Sequence, residues 1–420
     1  MSDEQQPGLR RPAVRREGAH LVMPGMATVH SHAFQRALRG RTQRRSTEAG
    51  SFWSWRGLMF ALADRLTPDD LLEIARFAYI ELTLSGVTAV GEFHYLHHDR
   101  GGRPYADRLE LAEVMIQAAR EAGLRITLIR AAYLRAGHNQ TVVTGQDRFC
   151  DRSADEAIAD IEALRRRHAG DPLVQIAVAA HSIRAVPLPE LATLASYASA
   201  AGLPFHIHLA EQRRELQECQ EEYGRTPVAL LAEHGLLDKR LVAIHATHLT
   251  TDEIQALGAA RSFVGICRTT ERDLGDGFPE TGALLQAGAR LCVGVDSHAG
   301  PDAFEEIRAV ELDGRAAAER RHAVADAPQL LEAATRAGYE AIGMGDAWAD
   351  DDVWLDGDDP ALADAEDGLL ADAVIFAATP RAVRRVTVAG RTIVEGGQHP
   401  GYADALTRFR RTMDRLRLRL

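Results

Sequence analysis

The chain has 420 residues and a net charge of −11, with 46% hydrophobic and 26% charged residues. That composition belongs to a water-soluble globular protein with room for one large α/β domain and a small companion. An acidic balance without a basic run speaks against nucleic acid as partner, and no apolar run reaches membrane-spanning length, which speaks against a membrane.

The first residues, MSDEQQPGLRRPAVRREG, lack the apolar core of a signal peptide. Cys150, Cys219, Cys267 and Cys292 are scattered and form no C-x-x-C pair, so a cytoplasmic chain without a disulfide framework is expected. Short runs rich in Val, Ile and Ala follow: MATVHSH from Met26, VTAVGEFHY from Val87, RITLIRAAY from Arg125 and VQIAVAAHS from Val174. They continue with PFHIHLAE from Pro204, LVAIHATHL from Leu241, SFVGIC from Ser262 and RLCVGVDSH from Arg290. Nearly continuous apolar strands predict a parallel sheet buried on both faces. The helical patterns between them, such as ADRLELAEVMIQAAREAG and ADEAIADIEALRRRHAG, close on Gly123 and Gly170, which fit as C-caps. The alternation predicts an α/β fold, a (β/α)8 TIM-like barrel over residues 26–348. From 349 the texture changes. DDVWLDGDDPALADAEDGLLADAVIF and RRVTVAGRTIVEGG read as short strands with Gly/Asp turns, a small β subdomain over 349–398. Residues 399–420 contain ALTRFRRTMDRLRLRL, a basic amphipathic helix expected to dock one face on the domain.

A barrel of this kind carries its chemistry at the C-terminal ends of the strands, and the unusual residues collect there. His30 and His32 end the first strand, Glu92, His94 and Tyr95 the second, and His181 the fourth. His206 and His208 end the fifth, His245 and His248 the sixth, and Asp296 the eighth. Side chains two apart on a strand share a face, so His30 and His32 both turn to the barrel mouth. With a histidine from the fifth strand and Asp296, N and O donors converge from separate strands. Such a donor set suits a divalent metal, zinc above all. Spacing alone does not choose between His206 and His208.

This pattern resembles the amidohydrolase superfamily over nearly the whole chain, and H-L-A-E at 208–211 resembles its aminohydrolase branch, whose members remove ammonia from C–N centres. The resemblance implies His30, His32, His208 and Asp296 as ligands of one divalent ion, Zn²⁺. It also implies a homodimer, and a small β-sandwich-like subdomain built from both termini, residues 1–25 included. Superfamily members with two ions commonly bridge them with a carboxylated lysine at the end of the fourth strand. The only lysine here, Lys239, precedes the sixth, so one ion is expected. Glu211, His245 and Asp296 are the expected catalytic groups: Glu211 as proton carrier from a loop, His245 orienting the water, and Asp296 taking a proton while ligating the metal. His206 is expected on the pocket floor or just behind the site, and His248 in a structural role.

A narrower resemblance is to the family of formimidoylglutamate deiminases. It is carried by HSHAFQRALRGRT from His30, SFWSWR from Ser51, EFHYLHHD from Glu92 and HSIRAV from His181, with HATHLT from His245, TTERDLGDG from Thr269 and GVDSHA from Gly294. It implies a small dicarboxylate substrate, N-formimino-L-glutamate, held by Gln35, Arg56, Tyr95, His181 and Arg184. Paired carboxylates call for arginine forks and neutral donors. The alternatives are an aminohydrolase acting on a guanine- or cytosine-like heterocycle, which has no need of paired arginines, and a non-catalytic relative. Two features depart from the family pattern. Arg268 stands where proline is expected, which would alter a loop at the pocket edge. The short segment before MPGM would leave the small β subdomain reduced.

Overall fold

The computed structural model describes residues 12–43 and 52–416. Residues 1–11 of the N-terminal segment, Ser51 of the SFWSWR motif and residues 417–420 of the C-terminal helix lie outside the described residues. The strands in chain order are β1 (Arg15–Glu17), β2 (His20–Pro24), β3 (Met26–Ser31), β4 (Val87–His94), β5 (Arg125–Ala132), β6 (Val174–Ser182) and β7 (Phe205–Leu209). They continue as β8 (Leu241–His245), β9 (Phe263–Ile266), β10 (Arg290–Val293), β11 (Asp352–Asp356), β12 (Val383–Val388) and β13 (Arg391–Glu395).

β3 to β10 form one eight-stranded sheet in sequential order, every neighbouring pair parallel. Its ends meet: the Asp296 amide donates to the His30 carbonyl (3.0 Å) and the His32 amide to the Asp296 carbonyl (2.9 Å). This is the expected (β/α)8 barrel, each strand lying on one of the eight apolar runs. The helices between strands start on local signals. Thr67 caps Pro68–Leu84 in a capping box with Asp70, and Ser153 caps Ala154–Arg167. Gly123, at φ +78°, ends Glu110–Ala122 as expected, but His168, not Gly170, caps the helix that ends at Arg167. Beneath the barrel, helix Arg336–Ala341 plugs the bottom. There the Tyr339 hydroxyl meets Thr88 Oγ1 at 2.6 Å, and Thr127 donates to the Ile342 carbonyl at 2.7 Å.

The other strands form an antiparallel sheet in the order β1-β2-β11-β12-β13. The segment leading into MPGM thus supplies β1 and, with Met23 and Pro24, β2, and the small sheet has N-terminal strands. Asp351 ties the two bodies together. It accepts from Arg125 Nε and Nη2 of the barrel (2.9 and 3.0 Å) and from the Ala389 amide at the β12–β13 turn (2.8 Å). One segment differs from its reading: GLLADAVIF is not a strand but helix Leu370–Ala377. Its β-branched residues suggest a strand, yet Leu370 and Val374 are buried one helical turn apart, and the helix packs on Ala327–Ala334 and Ala303–Ala318. The C-terminal helix Tyr402–Leu416 docks on Pro68–Leu84 through stacked Phe77 and Phe409 (centroids 4.6 Å apart) and through the Arg415–Asp70 pair. Among the described residues no helix is long and apolar enough to cross a membrane.

Candidate active site

The barrel mouth is built where strands stop behaving regularly. β3 pairs Thr28 with Val90 but Ser31 with Glu92, so one extra residue is inserted between them. Such a bulge turns two consecutive side chains inward: Val29 packs toward the bottom plug with Ile342, and His30 faces the site. Past the other strands the backbone enters the left-handed region at Ala210 (φ +54°), His245 (+71°), Ala246 (+47°) and Asp296 (+49°). None is glycine, so each costs conformational energy, and such strain collects at functional sites. Gly294 is required by close approach: a Cβ there would lie 2.8 Å from His30 Cβ.

The four expected ligand donors converge. His208 Nε2 lies 3.0 Å from His30 Nε2 and 3.3 Å from His32 Nε2. Asp296 Oδ1 lies 3.5 Å from His30 Nε2 and 3.4 Å from His32 Nε2. A tetrahedral ion with bonds of about 2.0–2.1 Å separates its ligand atoms by about 3.3–3.4 Å. The protonation pattern fits as well. His32 Nδ1 is 2.9 Å from the Phe93 carbonyl and His208 Nδ1 2.8 Å from the His181 carbonyl. A carbonyl only accepts, so each Nδ1 carries the hydrogen and each Nε2 presents a lone pair to the centre. Burial holds His30 and His208 well below the usual histidine range and His32 at about 3, so all three are neutral donors. The Nε2 lone pairs of His32 and His208, 3.3 Å apart with Asp296 beside them, form a donor set that suits a divalent cation.

His206, two residues before His208, sits one layer deeper, its Nε2 3.1 Å from the Ala341 carbonyl of the bottom plug. It lies off the cavity. Glu92 and His94 also point away from it. Alternation puts Phe93 inward against His30 and His208, while Glu92 accepts from Ser31 Oγ (2.6 Å) and the Ala33 amide (2.9 Å). His248 does not line the cavity; its amide donates to the Ala210 carbonyl at 3.0 Å and its ring hydrogen-bonds to the Asp276 backbone.

Glu211 follows the strained Ala210 and precedes helix Arg213–Tyr223. Buried Glu215, in that helix's first turn, accepts from the amides of Ala210 (3.3 Å) and Glu211 (3.0 Å) and so fixes the turn. Glu211 Oε1 reaches 3.9 Å from His245 Nε2, which lies 3.8 Å from Asp296 Oδ2. Burial draws His245 down, but Glu211, the bond to Glu271 and Asp296 outweigh it and hold the imidazole up at about 10. Burial pushes Asp296 up to about 7.

Gln35, Arg56, Tyr95, His181 and Arg184 line the same cavity as His32, His208, Glu211, His245 and Asp296. Gln35 Nε2 donates to the Tyr95 hydroxyl at 2.7 Å. Arg56 lies over Trp53 and Phe60 (5.5 and 4.9 Å to the centroids) and donates to the Tyr133 hydroxyl at 3.0 Å. Burial, then the neighbouring Arg184, lowers its pKa to about 10. Arg184 is 9% exposed and lies over the same Trp53, and its Nη1 is buried without a hydrogen-bond partner among the described residues. Neither arginine has a carboxylate within ion-pair distance among the described residues. Two guanidinium groups held together, neither ion-paired among the described residues, make a cavity that favours an anion.

Sequence reasoning missed Phe93, Tyr133 and Glu271. Phe93 packs against the rings of His30, His32 and His208 and offers its carbonyl to His32. Tyr133 holds Arg56. Glu271 holds His245 Nδ1 at 3.2 Å. Phe93 lies within EFHYLHHD, Tyr133 ends RITLIRAAY and Glu271 lies within TTERDLGDG, but nothing in residue type or spacing sets any of them apart there.

Known proteins are similar to this chain over most of its length. The model of the amidohydrolase family matches residues 21–347. A formimidoylglutamate deiminase of Pseudomonas aeruginosa is 40% identical over 412 residues, covering 93% of this chain and 89% of that protein. A 5-methylthioadenosine/S-adenosylhomocysteine deaminase of Natronomonas pharaonis is 30% identical, covering 89% and 81%. Among solved structures, an amidohydrolase from Brucella melitensis matches with a TM-score of 0.87 and 32% identity over 96% of each chain. An adenosine deaminase from Xanthomonas campestris with bound zinc matches at 0.80 and 25%, covering 95% and 86%. Barrel, histidine cluster and whole-length similarity agree: this chain belongs to the amidohydrolase family.

Proposed function

We propose that the chain is a zinc-dependent, cytoplasmic enzyme that hydrolyses N-formimino-L-glutamate to N-formyl-L-glutamate and ammonia, a step in histidine breakdown. The observation that carries this reading is the pair Arg56 and Arg184, neither ion-paired among the described residues, facing the His/Asp cluster across one cavity. A dicarboxylate needs such a pair; a neutral heterocycle does not. The similarity to the Pseudomonas aeruginosa deiminase supports the same substrate.

His30, His32, His208 and Asp296 would hold one ion. Bound there, zinc supplies Lewis acidity and a water acidified to a pKa of about 7. The remaining work belongs to the side chains. Arg56 and Arg184 engage the substrate carboxylates, with Gln35, Tyr95 and His181 as neutral donors around the glutamate moiety. Asp296 accepts a proton from the attacking water, while His245 donates from Nε2 to orient that water. The water oxygen bonds to the formimino carbon, giving a tetrahedral intermediate. With the formimino group bound as its amidinium, that intermediate carries a hydroxyl and an amino group; Glu211 takes the hydroxyl proton and passes it to the amino nitrogen, the C–N bond breaks, ammonia leaves as the formyl carbonyl forms, and Asp296 returns its proton to solvent.

Ammonia release from N-formimino-L-glutamate by the zinc-loaded enzyme is the expected result. No turnover of it, alongside good turnover of a purine or pyrimidine, would overturn the reading. Metal analysis of two variants separates the neighbouring histidines. His208→Ala should lose bound zinc and His206→Ala should keep it; the reverse pattern would exchange their roles.

A further inference from the structure

We propose that Glu271 is a positioning residue for the deimination, acting through His245, and that Arg268 fixes Glu271 in place. The proposal rests on the catalytic reading of His245 given above. Glu271 is fully buried on helix Arg268–Leu274, which follows β9. Its Oε1 accepts from the Cys267 amide at 2.9 Å and from His245 Nδ1 at 3.2 Å. Its Oε2 accepts from Arg268 Nη1 at 2.7 Å. Arg268, 2% exposed, is anchored in turn: Nη1 donates to the Gly277 carbonyl (3.2 Å) and Nε to Asp313 (2.7 Å). Arg272 closes the chain of charges by pairing Asp313 and Glu305 at 2.6 Å each.

The physical argument is orientation. His245 sits on a left-handed backbone, so its strand does not hold its ring by regular geometry. A carboxylate on the outer nitrogen keeps the Nδ1 proton turned outward and leaves Nε2 as the atom facing Asp296 and Glu211. A carboxylate buried without a cation would be costly. Arg268 supplies the cation, which explains a guanidinium where the family pattern has proline: its charge is spent inside, against Glu271 and Asp313, and not at the pocket edge. His245, Cys267 and Glu271 also lie close enough together to suggest a second metal site. Arg268 at 2.7 Å from Glu271 already supplies the positive charge, and burial pushes the Cys267 thiol well up, away from thiolate.

The test is Glu271→Gln in the zinc-loaded enzyme, assayed on whichever aminohydrolase substrate the wild type turns over, so that a wrong substrate assignment does not decide it. The expected result is a kcat lowered about 10- to 100-fold, with KM within about threefold and zinc content unchanged. A kcat within about threefold of wild type would overturn the proposal, as would a loss confined to zinc content. Should that variant fail to fold, ¹⁵N-histidine NMR of the wild type decides, with the His245 signal assigned by its absence in His245→Gln. A protonated Nδ1 supports the proposal and a deprotonated Nδ1 refutes it.

Discussion

Glu211→Gln is expected to cut kcat by about 10²–10⁴-fold, the usual contribution of a positioned proton carrier, while KM and zinc content stay near wild type. The amide keeps the size of the carboxylate and leaves the backbone untouched. The turn is fixed by bonds from the Ala210 and Glu211 amides to Glu215, not by the Glu211 side chain. What is lost is the ability to take up and release a proton beside His245 and Asp296. Steady-state ammonia release, with metal analysis of the same preparation, checks it. A kcat within tenfold of wild type would move the proton carrier to another group, His245 being next in line.

Arg184→Ala should lower kcat/KM by roughly 30- to 4,000-fold, the equivalent of about 2–5 kcal/mol for a desolvated charge pair. Arg184 is almost wholly buried and has an unsatisfied Nη1, so the free enzyme already bears the cost of holding a charge without its partner. An arriving carboxylate recovers that cost and adds a charge-assisted bond. The alanine variant forfeits both, and the effect should fall mainly on KM, because the carboxylate contact is the same in the ground and transition states. Substrate-dependence curves for the two proteins test this; unchanged KM and kcat would remove Arg184 from the site.

Much of this was legible in the sequence, for identifiable reasons. Eight apolar runs marked eight strands because strands buried on both faces have no polar side to blur them. The proposed metal ligands lay at strand ends, where the barrel gathers side chains from distant parts of the chain, whereas Arg56 comes from helix Phe52–Ala63 and Gln35 from the short helix Ala33–Leu38. Other features were invisible because they depend on neighbours in space. The bulge in β3 that turns His30 inward is a matter of pairing with β4, and no local residue announces it. His206 and His208 share a face, so the difference between them is depth, decided by where Ala341 plugs the barrel. GLLADAVIF has β-branched residues but becomes a helix because two other helices offer it a groove. Arg268 looked like a change at the pocket edge, and only its buried partners show where the charge goes.

The seam of the barrel closes at the mouth of the site. His30 and His32 hang from β3, the first barrel strand, and Asp296 follows β10, the last; two backbone bonds and the Val295 amide donating to Thr28 Oγ1 at 2.9 Å join these strands there. An ion shared by these side chains and His208 would rivet together the two ends of a ring that the chain reaches only after completing the whole circuit. Binding energy at that point is also cohesion: an ion present at a thousand times its Kd adds about 4 kcal/mol to the folded state. The metal-depleted protein is then not simply an idle enzyme but a looser cylinder, weakest along the joint where its first and last strands meet.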